Sequence, residues 1–432
     1  MSIPKIPVEL VAPIYNPKTF GDRDQVRRIF KTLRDEYPVA IAEVPGYDPH
    51  WIITRFEDVR EITRRDDIFL NAQRSKTLAS LVAERMMREY SGGKPHIFQT
   101  LVHMDEPMHK DYRAVTANMF MPQEIAKLTD TVSKTAKKWV ARMLEMGPEF
   151  DFAEEIAFQY PLEVVCNMIG IPEPDHQMHL RLTQWMFTYA DPDLCRPGAD
   201  PSDPEEIIRT WDLAYNEWRD YFMELVGDRR KNPRDDMASV VANGEVYGEP
   251  MEERAMISYL IIAASAGHDS TAATTAHSMW QLAKNPEILP QLKADPALIK
   301  SFVEESIRWA SPVQQFTRSA AEDYPFHDQV IKKGDMVYLS FVGANFDERN
   351  IDNPDVFDPT RWPNRHLGFG YGSHICLGQH LARLEMVKFW QELIPHLESV
   401  EFTGEPVMAE SEFVCGPKSV PVRVKFSNKK AA

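Results

Sequence analysis

Cys376 stands in the tract LGFGYGSHICLG, residues 367–378, where glycines crowd around one sulfur. A thiolate that binds a metal must stay deprotonated and be screened from water. It therefore needs amide N–H groups directed at sulfur and a wall that closes over it. Gly370 and Gly372 lack the β-carbons that would obstruct such an approach. Leu377, Leu381, Leu384 and Val387 then recur at helical spacing and predict a helix over 377–394. Cys376 would sit at its start, where the positive end of the helix dipole favours an anion. Phe369 is placed to pack on a flat macrocycle, and His374, two residues from the sulfur, is within reach of a carboxylate on the same group. The chemistry such a constellation serves is that of a haem iron with an axial thiolate. A lone intracellular cysteine is otherwise most often a small buried hydrophobe.

A second stretch, YLIIAASAGHDSTAATT from Tyr259 to Thr275, is apolar and places Ala263, Ala266, Gly267, Ser270 and Thr274 on one helical face. A stripe of small residues admits either a packed helix or a large ligand. Asp269 and Ser270 interrupt the apolar run, and polar groups there are costly unless they find partners or do chemistry. In MDEPMHKDYR, His109 and Arg113 lie four apart on one helical face, and Arg318 ends the short extended segment PVQQFTR. Glu305 and Arg308 in VEESIR stand at i, i+3, a spacing that suits an ion pair. Each of these charges is equally consistent with a solvated surface. A zinc site built on Cys376, His374 and His380 is a further alternative, but it lacks the second Cys/His cluster that four-coordinate zinc requires.

The order F-x-x-G-x-H-x-C-x-G, filled by Phe369, Gly372, His374, Cys376 and Gly378, resembles the haem-binding signature of the cytochrome P450 family. Further blocks extend the resemblance over nearly the whole chain. It implies haem b, with Cys376 as the iron ligand and His109, Arg113, Arg318 and His374 holding the propionates. It implies a buried structural network of Glu305, Arg308 and Arg361, the last from FDPTRW. AGHDST resembles the family's oxygen-activation motif, with Ala266 and Gly267 beside the oxygen pocket and Asp269 feeding protons through water. Ser270 stands where members usually carry threonine, followed by Thr271. Serine keeps the hydroxyl and loses the methyl that fixes its rotamer, so a looser hold on bound oxygen is expected. By position in the family pattern, Leu260, Ala263, Val313, Phe316 and Phe413 would face the substrate, although each also reads as core. The segment 189–206 resembles the family's lid over the substrate channel, or is an ordinary solvated loop.

The elements that must position these residues are mostly helices, expected over 124–146, 205–230, 251–284 and 377–394. A small β-rich region is expected over about 38–56 and 315–342. It includes a hairpin ending in ITRFEDV, a helix starting at Asp58, and a strand from Met336 to Leu339 after the turn at Gly334. The fold class is thus mainly α with a small β portion (α+β), and the haem is expected between the long central helix and the cysteine loop. The 432 residues show no linker, repeat or low-complexity tract, and read as a single domain over 1–432 with no fused reductase. Electrons would then come from a separate ferredoxin, with ferredoxin reductase and NAD(P)H, and O2 would be the oxidant.

A net charge of −16 argues against nucleic acid as a partner. No stretch approaches the roughly 20 apolar residues of a membrane span and the amino terminus shows no secretory signal, so a cytoplasmic enzyme of bacterial type is expected. Cys166, Cys195, Cys376 and Cys415 show no paired spacing, and no disulfides are expected. The similarity is strongest to bacterial terpene-hydroxylating members, which implies a hydrophobic substrate such as a terpenoid or alkyl-aromatic. The alternatives are a steroid or sterol hydroxylase, a peroxide-driven haem-thiolate peroxygenase that uses no ferredoxin, and a gas sensor, for which no output domain is visible.

Overall fold

Asp203 and Pro204 open a 28-residue helix, Pro204–Lys231. The Asp203 carboxylate accepts from the Glu205 amide at 2.9 Å, and proline at the first helical position gives up a donor that has no intrahelical partner. Similar local rules build the rest of a computed structural model that describes residues 3–427. A mainly helical body carries small sheets, the largest having five strands. In that sheet Ala40–Ala42 pairs antiparallel with His50–Ile53, which runs parallel to Met336–Ser340. Gln315–Ala320 follows antiparallel, with Arg318 opposite Val337, and Phe69–Leu70 closes the edge. The C-terminal strands Leu397–Phe402 and Pro421–Phe426, which pair with each other, fall outside the two stretches expected to be β-rich.

Several expected helices are interrupted. The stretch 124–146 divides into Pro122–Lys127 and Thr129–Glu145 around Leu128, whose amide turns to the Ile125 carbonyl at 3.0 Å. The stretch 251–284 divides into Glu253–Ala266 and Asp269–Lys284. At the break, the backbone approaches helix Gln159–Ile169 so closely that a β-carbon on Gly267 would lie 2.8 Å from a Val165 methyl. The His268 ring turns back to the Ala264 carbonyl at 2.6 Å. The helix after the cysteine is Gln379–Leu393, capped by Gly378, so Cys376 precedes the helix rather than starting it. Asp58 likewise lies inside helix Phe56–Arg64, where it is buried and pairs with His327 at 2.8 Å.

Glu305 and Arg308 lie on helix Ile299–Ala310 and are fully buried. The Glu305 carboxylate accepts from Arg308 Nε and Nη2, both at 2.7 Å, from Arg361 Nε at 3.1 Å, from Asn364 Nδ2 at 2.8 Å and from the Asp358 amide at 3.0 Å. Arg308 also donates to the carbonyls of Asn345 and Pro354 at 3.1 and 2.8 Å. Asn345 Oδ1 in turn accepts from the Leu367 amide at 2.6 Å, at the entrance to the cysteine loop. Glu305→Ala leaves Arg308 buried and unpaired, which should cost about 3–5 kcal/mol. Arg361→Gln removes a more peripheral cation and should cost less, and urea-unfolding midpoints of the two variants check the ranking.

Candidate active site

The cysteine loop is held from both sides. The Cys376 amide donates to the Phe369 carbonyl at 2.8 Å, and Arg113 Nη2 reaches over from helix Met108–Ala117 to the Ile375 carbonyl at 2.7 Å. Gly370 and Gly372 adopt φ of +70° and +77°, and a β-carbon on Gly372 would lie 2.4 Å from the Thr63 carbonyl oxygen. Their role is therefore to let the loop turn against helix Phe56–Arg64, and not to clear a path to sulfur. The amide that reaches the sulfur is that of Gly378. Burial raises the Cys376 thiol pKa, opposed by the Gly378 N–H and by Arg113 and Arg383. Loop and helix end alone thus do not make the thiolate, and a bound metal would be needed to hold it.

Cys376 lies deep in the protein but opens onto a cavity of about 620 Å³, within the roughly 300–1,000 Å³ of small-molecule sites. The same cavity is lined by Ala263, Ala266, Gly267, Ser270, Thr271 and Thr274 from the two central helices, by Phe369 and Gly378 beside the cysteine, and by Val313, Phe316 and Phe413. Phe369 carries the Arg383 guanidinium 4.3 Å over its ring. Leu260 is fully buried in the core and does not reach the wall. The cavity face descends the helix through Ile262 and Tyr259, at i−4 from Ala266 and Ala263, whereas Leu260 at i−3 turns to the other side.

His109, Arg113, Arg318 and His374 all line this cavity. The His109 and His374 rings stack at 3.9 Å, and His374 Nε2 meets Asn71 Nδ2 at 3.1 Å. A fifth group, Lys76, is buried beside them with its ammonium donating to Asn71 Oδ1 at 3.1 Å. It sits in the polar run QRSKTL, where nothing in the sequence distinguishes it from a solvated lysine. Burial and the Arg318 charge push Lys76 well below its ordinary pKa, and burial lowers Arg318 to about 10. Burial, then Arg318, His109, Lys76 and Arg113, push His374 far down. The nearest carboxylate, Asp105, is engaged by the amides of Asn71 and Ala72 at 2.5 and 3.1 Å. Cations buried without counter-ions beside a thiol and an apolar wall fit a planar cofactor that carries two carboxylates. Among the described residues, no cluster of three or more His, Cys, Asp or Glu could hold a metal, so the zinc arrangement is not assembled.

Asp269 is buried but is not in the cavity wall, and burial raises its carboxyl to about 7. Ser270 is open to the cavity, with its hydroxyl at the hydrogen-bonding limit, 3.5 Å, from the Ala266 carbonyl. Three carboxyls that the sequence did not single out, Glu84, Glu385 and Glu412, also line the cavity. Glu385 has neither oxygen partnered, and Glu412 accepts from the Tyr189 hydroxyl at 2.6 Å through one oxygen only. Segment 189–206 contributes Tyr189, Pro201 and Ser202 to the wall. It is clasped to the C-terminal loop by Lys418 Nζ, 2.8 Å from buried Asp191.

The family model for cytochrome P450 matches residues 7–424. The chain is 42% identical over 418 residues to cytochrome P450-terp of a Pseudomonas species, covering 97% of this chain and 98% of that protein. It is 27% identical to linalool 8-monooxygenase of Pseudomonas putida, covering 91% and 94%. The crystal structure of CYP108D1 from Novosphingobium aromaticivorans DSM12444 superposes with a TM-score of 0.90 at 40% identity, covering 98% of this chain and all of that one. With a buried thiol, a cationic rim and kinship along nearly its full length, the chain belongs to the cytochrome P450 family of haem b monooxygenases.

Proposed function

We propose that Cys376 ligates the haem iron and that this monooxygenase hydroxylates a compact hydrophobic molecule, a terpenoid or alkyl-aromatic. Its electrons come from a separate ferredoxin, ferredoxin reductase and NAD(P)H in the cytoplasm. The observation that carries the reading is a single cavity shared by the Cys376 thiol, the Ala266–Gly267–Ser270 stripe and five cationic or imidazole side chains, of which Lys76, His109 and Arg318 are buried. Similarity to P450-terp and to linalool 8-monooxygenase favours the terpenoid class. No helix among the described residues is long and apolar enough to cross a membrane.

Haem held by Cys376 would supply the activation of oxygen. The protein supplies position, exclusion of water and protons. His109, Arg113, Arg318, His374 and Lys76 offer donors to the propionates, whose negative charge would raise the lowered pKa values of Arg113, Arg318, His374 and Lys76. Phe369 walls the sulfur side. Ala266 and Gly267 leave space where side chains would otherwise fill the oxygen side. Ser270 offers a hydroxyl with no strong competing partner, and Asp269, one residue away but behind the wall, holds or releases a proton near neutral pH.

The reduced carbon monoxide difference spectrum tests the ligand. Wild-type protein should show the far-red Soret band of a thiolate-bound haem, and Cys376→Ser should lose it while retaining the fold. A wild-type band at the position of histidine-ligated haem would sink the assignment. Ser270→Ala should release several-fold more peroxide per NAD(P)H consumed, measured with a surrogate ferredoxin system, and unchanged product yield would remove Ser270 from oxygen handling. For the substrate class, compact terpenoids should shift the haem spin state, whereas a steroid that binds while they do not would displace the proposal.

Asp269 makes a separate prediction. Burial raises its folded pKa to about 7, above the 3.8 of an exposed aspartate, so the stability it lends is complete below about pH 4 and is lost as pH rises through 7. Asp269→Asn should therefore gain stability relative to wild type between pH 5 and pH 8. Urea midpoints at the two values read the difference, and parallel shifts would show that Asp269 is already ionised when folded.

A further inference from the structure

The cavity wall carries a further polar patch, outside the set of side chains assigned above to the propionates. His96, Thr100 and His103 all line it. The two imidazole rings lie 4.0 Å apart and tilted by 36°. Thr100 Oγ1 meets His103 Nδ1 at 2.8 Å, which fixes the ring and leaves Nε2 without a hydrogen-bond partner among the described residues. His96 Nδ1 is buried and unpartnered. The segment that carries them is tied to the central helix: Arg254 donates to the carbonyls of His96 and Ile97 at 3.1 and 2.6 Å, and the Gln99 amide donates to Ser258 Oγ at 2.9 Å. His103 Nε2 is thus left free to hydrogen-bond a ligand that enters the cavity.

We propose that His103 Nε2, with His96 beside it, is a substrate-anchoring subsite for an uncharged oxygen function, an alcohol or a ketone, on the hydrophobic molecule this enzyme oxidises. The inference rests on the haem-thiolate terpenoid reading above and narrows it to oxygenated members of the class. The Thr100 hydroxyl can either donate to or accept from Nδ1, so Nε2 can present the complementary role. It donates to a carbonyl in one tautomer and accepts from a substrate hydroxyl in the other. Burial first, and then the surrounding cations, keep both rings neutral, with His96 lowered to about 4 and His103 well below its ordinary value. A neutral imidazole pair matches a neutral oxygen and offers no counter-charge to a carboxylate. His103 is thus a positioning residue: it fixes which carbon of a compact skeleton faces the iron.

The test is a spin-state titration of the haem-loaded protein with a matched set of one skeleton, p-menthane, menthol and menthone. Wild type should bind menthol or menthone more tightly relative to p-menthane than His103→Phe does, by about five- to tenfold, as expected for one buried hydrogen bond. His103→Gln, which restores a donor and an acceptor, should recover much of that preference. The carbon monoxide band verifies that each variant is folded and loaded. If the three ligands shift the spectrum but their relative affinities do not change in His103→Phe, the subsite is wrong and the terpenoid reading survives. If none of them shifts the spectrum of wild type, the terpenoid reading fails and the subsite fails with it.

Discussion

Glu305 has no accessible surface, yet five donors converge on its carboxylate, among them both forks of Arg308. A charge in that position is tolerated only because every lone pair is used. The network joins helix Ile299–Ala310 to the irregular chain between Asn345 and Asn364, and Asn345 passes the constraint on to Leu367. That chain has little regular structure of its own between helix Phe341–Asn345 and the cysteine loop. The buried carboxylate fixes the direction from which this chain arrives, and His366, paired with Glu304 at 3.0 Å, adds a second anchor at the start of the loop. The thiol's position is thus set by an ion pair distant from it in sequence, while backbone hydrogen bonds of the loop set its orientation.

A second electrostatic constraint works at the cavity itself. Lys76 and Arg318 are buried with their charges inadequately matched by protein carboxylates, and His374 beside them is pushed far down, first by its own burial and then by these cations. Such an arrangement weakens the empty protein and strengthens the hold on an anionic ligand. The helix interruption at Gly267–His268 belongs to the same economy of space, because close approach to Val165 draws the backbone aside from the cavity. Helix Asp269–Lys284 then begins with its own free amides at the residue whose carboxyl has no partner.

The sequence was most legible where chemistry is compact along the chain. Phe369, Gly372, His374, Cys376 and Gly378 lie within ten residues, and the small-residue stripe is a helical period; the cavity is lined by that stripe and by all of the five except Gly372, which packs on Thr63. The mainly α fold with a small mixed sheet was readable for the same reason, since it follows from local periodicity. What could not be read was assembled from a distance. Lys76 and His103 look like ordinary polar residues until Gln315–Ala320 and the stacked His109–His374 pair come alongside. Leu260 was misplaced because a stripe of threes and fours leaves the next step ambiguous, and i−4 rather than i−3 continued it. Gly370 and Gly372 both take a left-handed backbone, and at Gly372 the carbonyl that a β-carbon would strike belongs to Thr63, far back in the chain.

The clasp between Lys418 and Asp191 has a bearing on traffic through the molecule. Asp191 also accepts from the Glu410 amide at 2.8 Å, and Tyr189 is bonded to Glu412. The segment that carries Tyr189 and the loop bearing Phe413 are therefore tied together where both line the cavity. A molecule that displaced Tyr189 on its way in would also disturb the surface beside Phe413. Passage and selection are then not separable stages, and the shape a guest meets at the threshold is already a deformed version of the shape that will hold it.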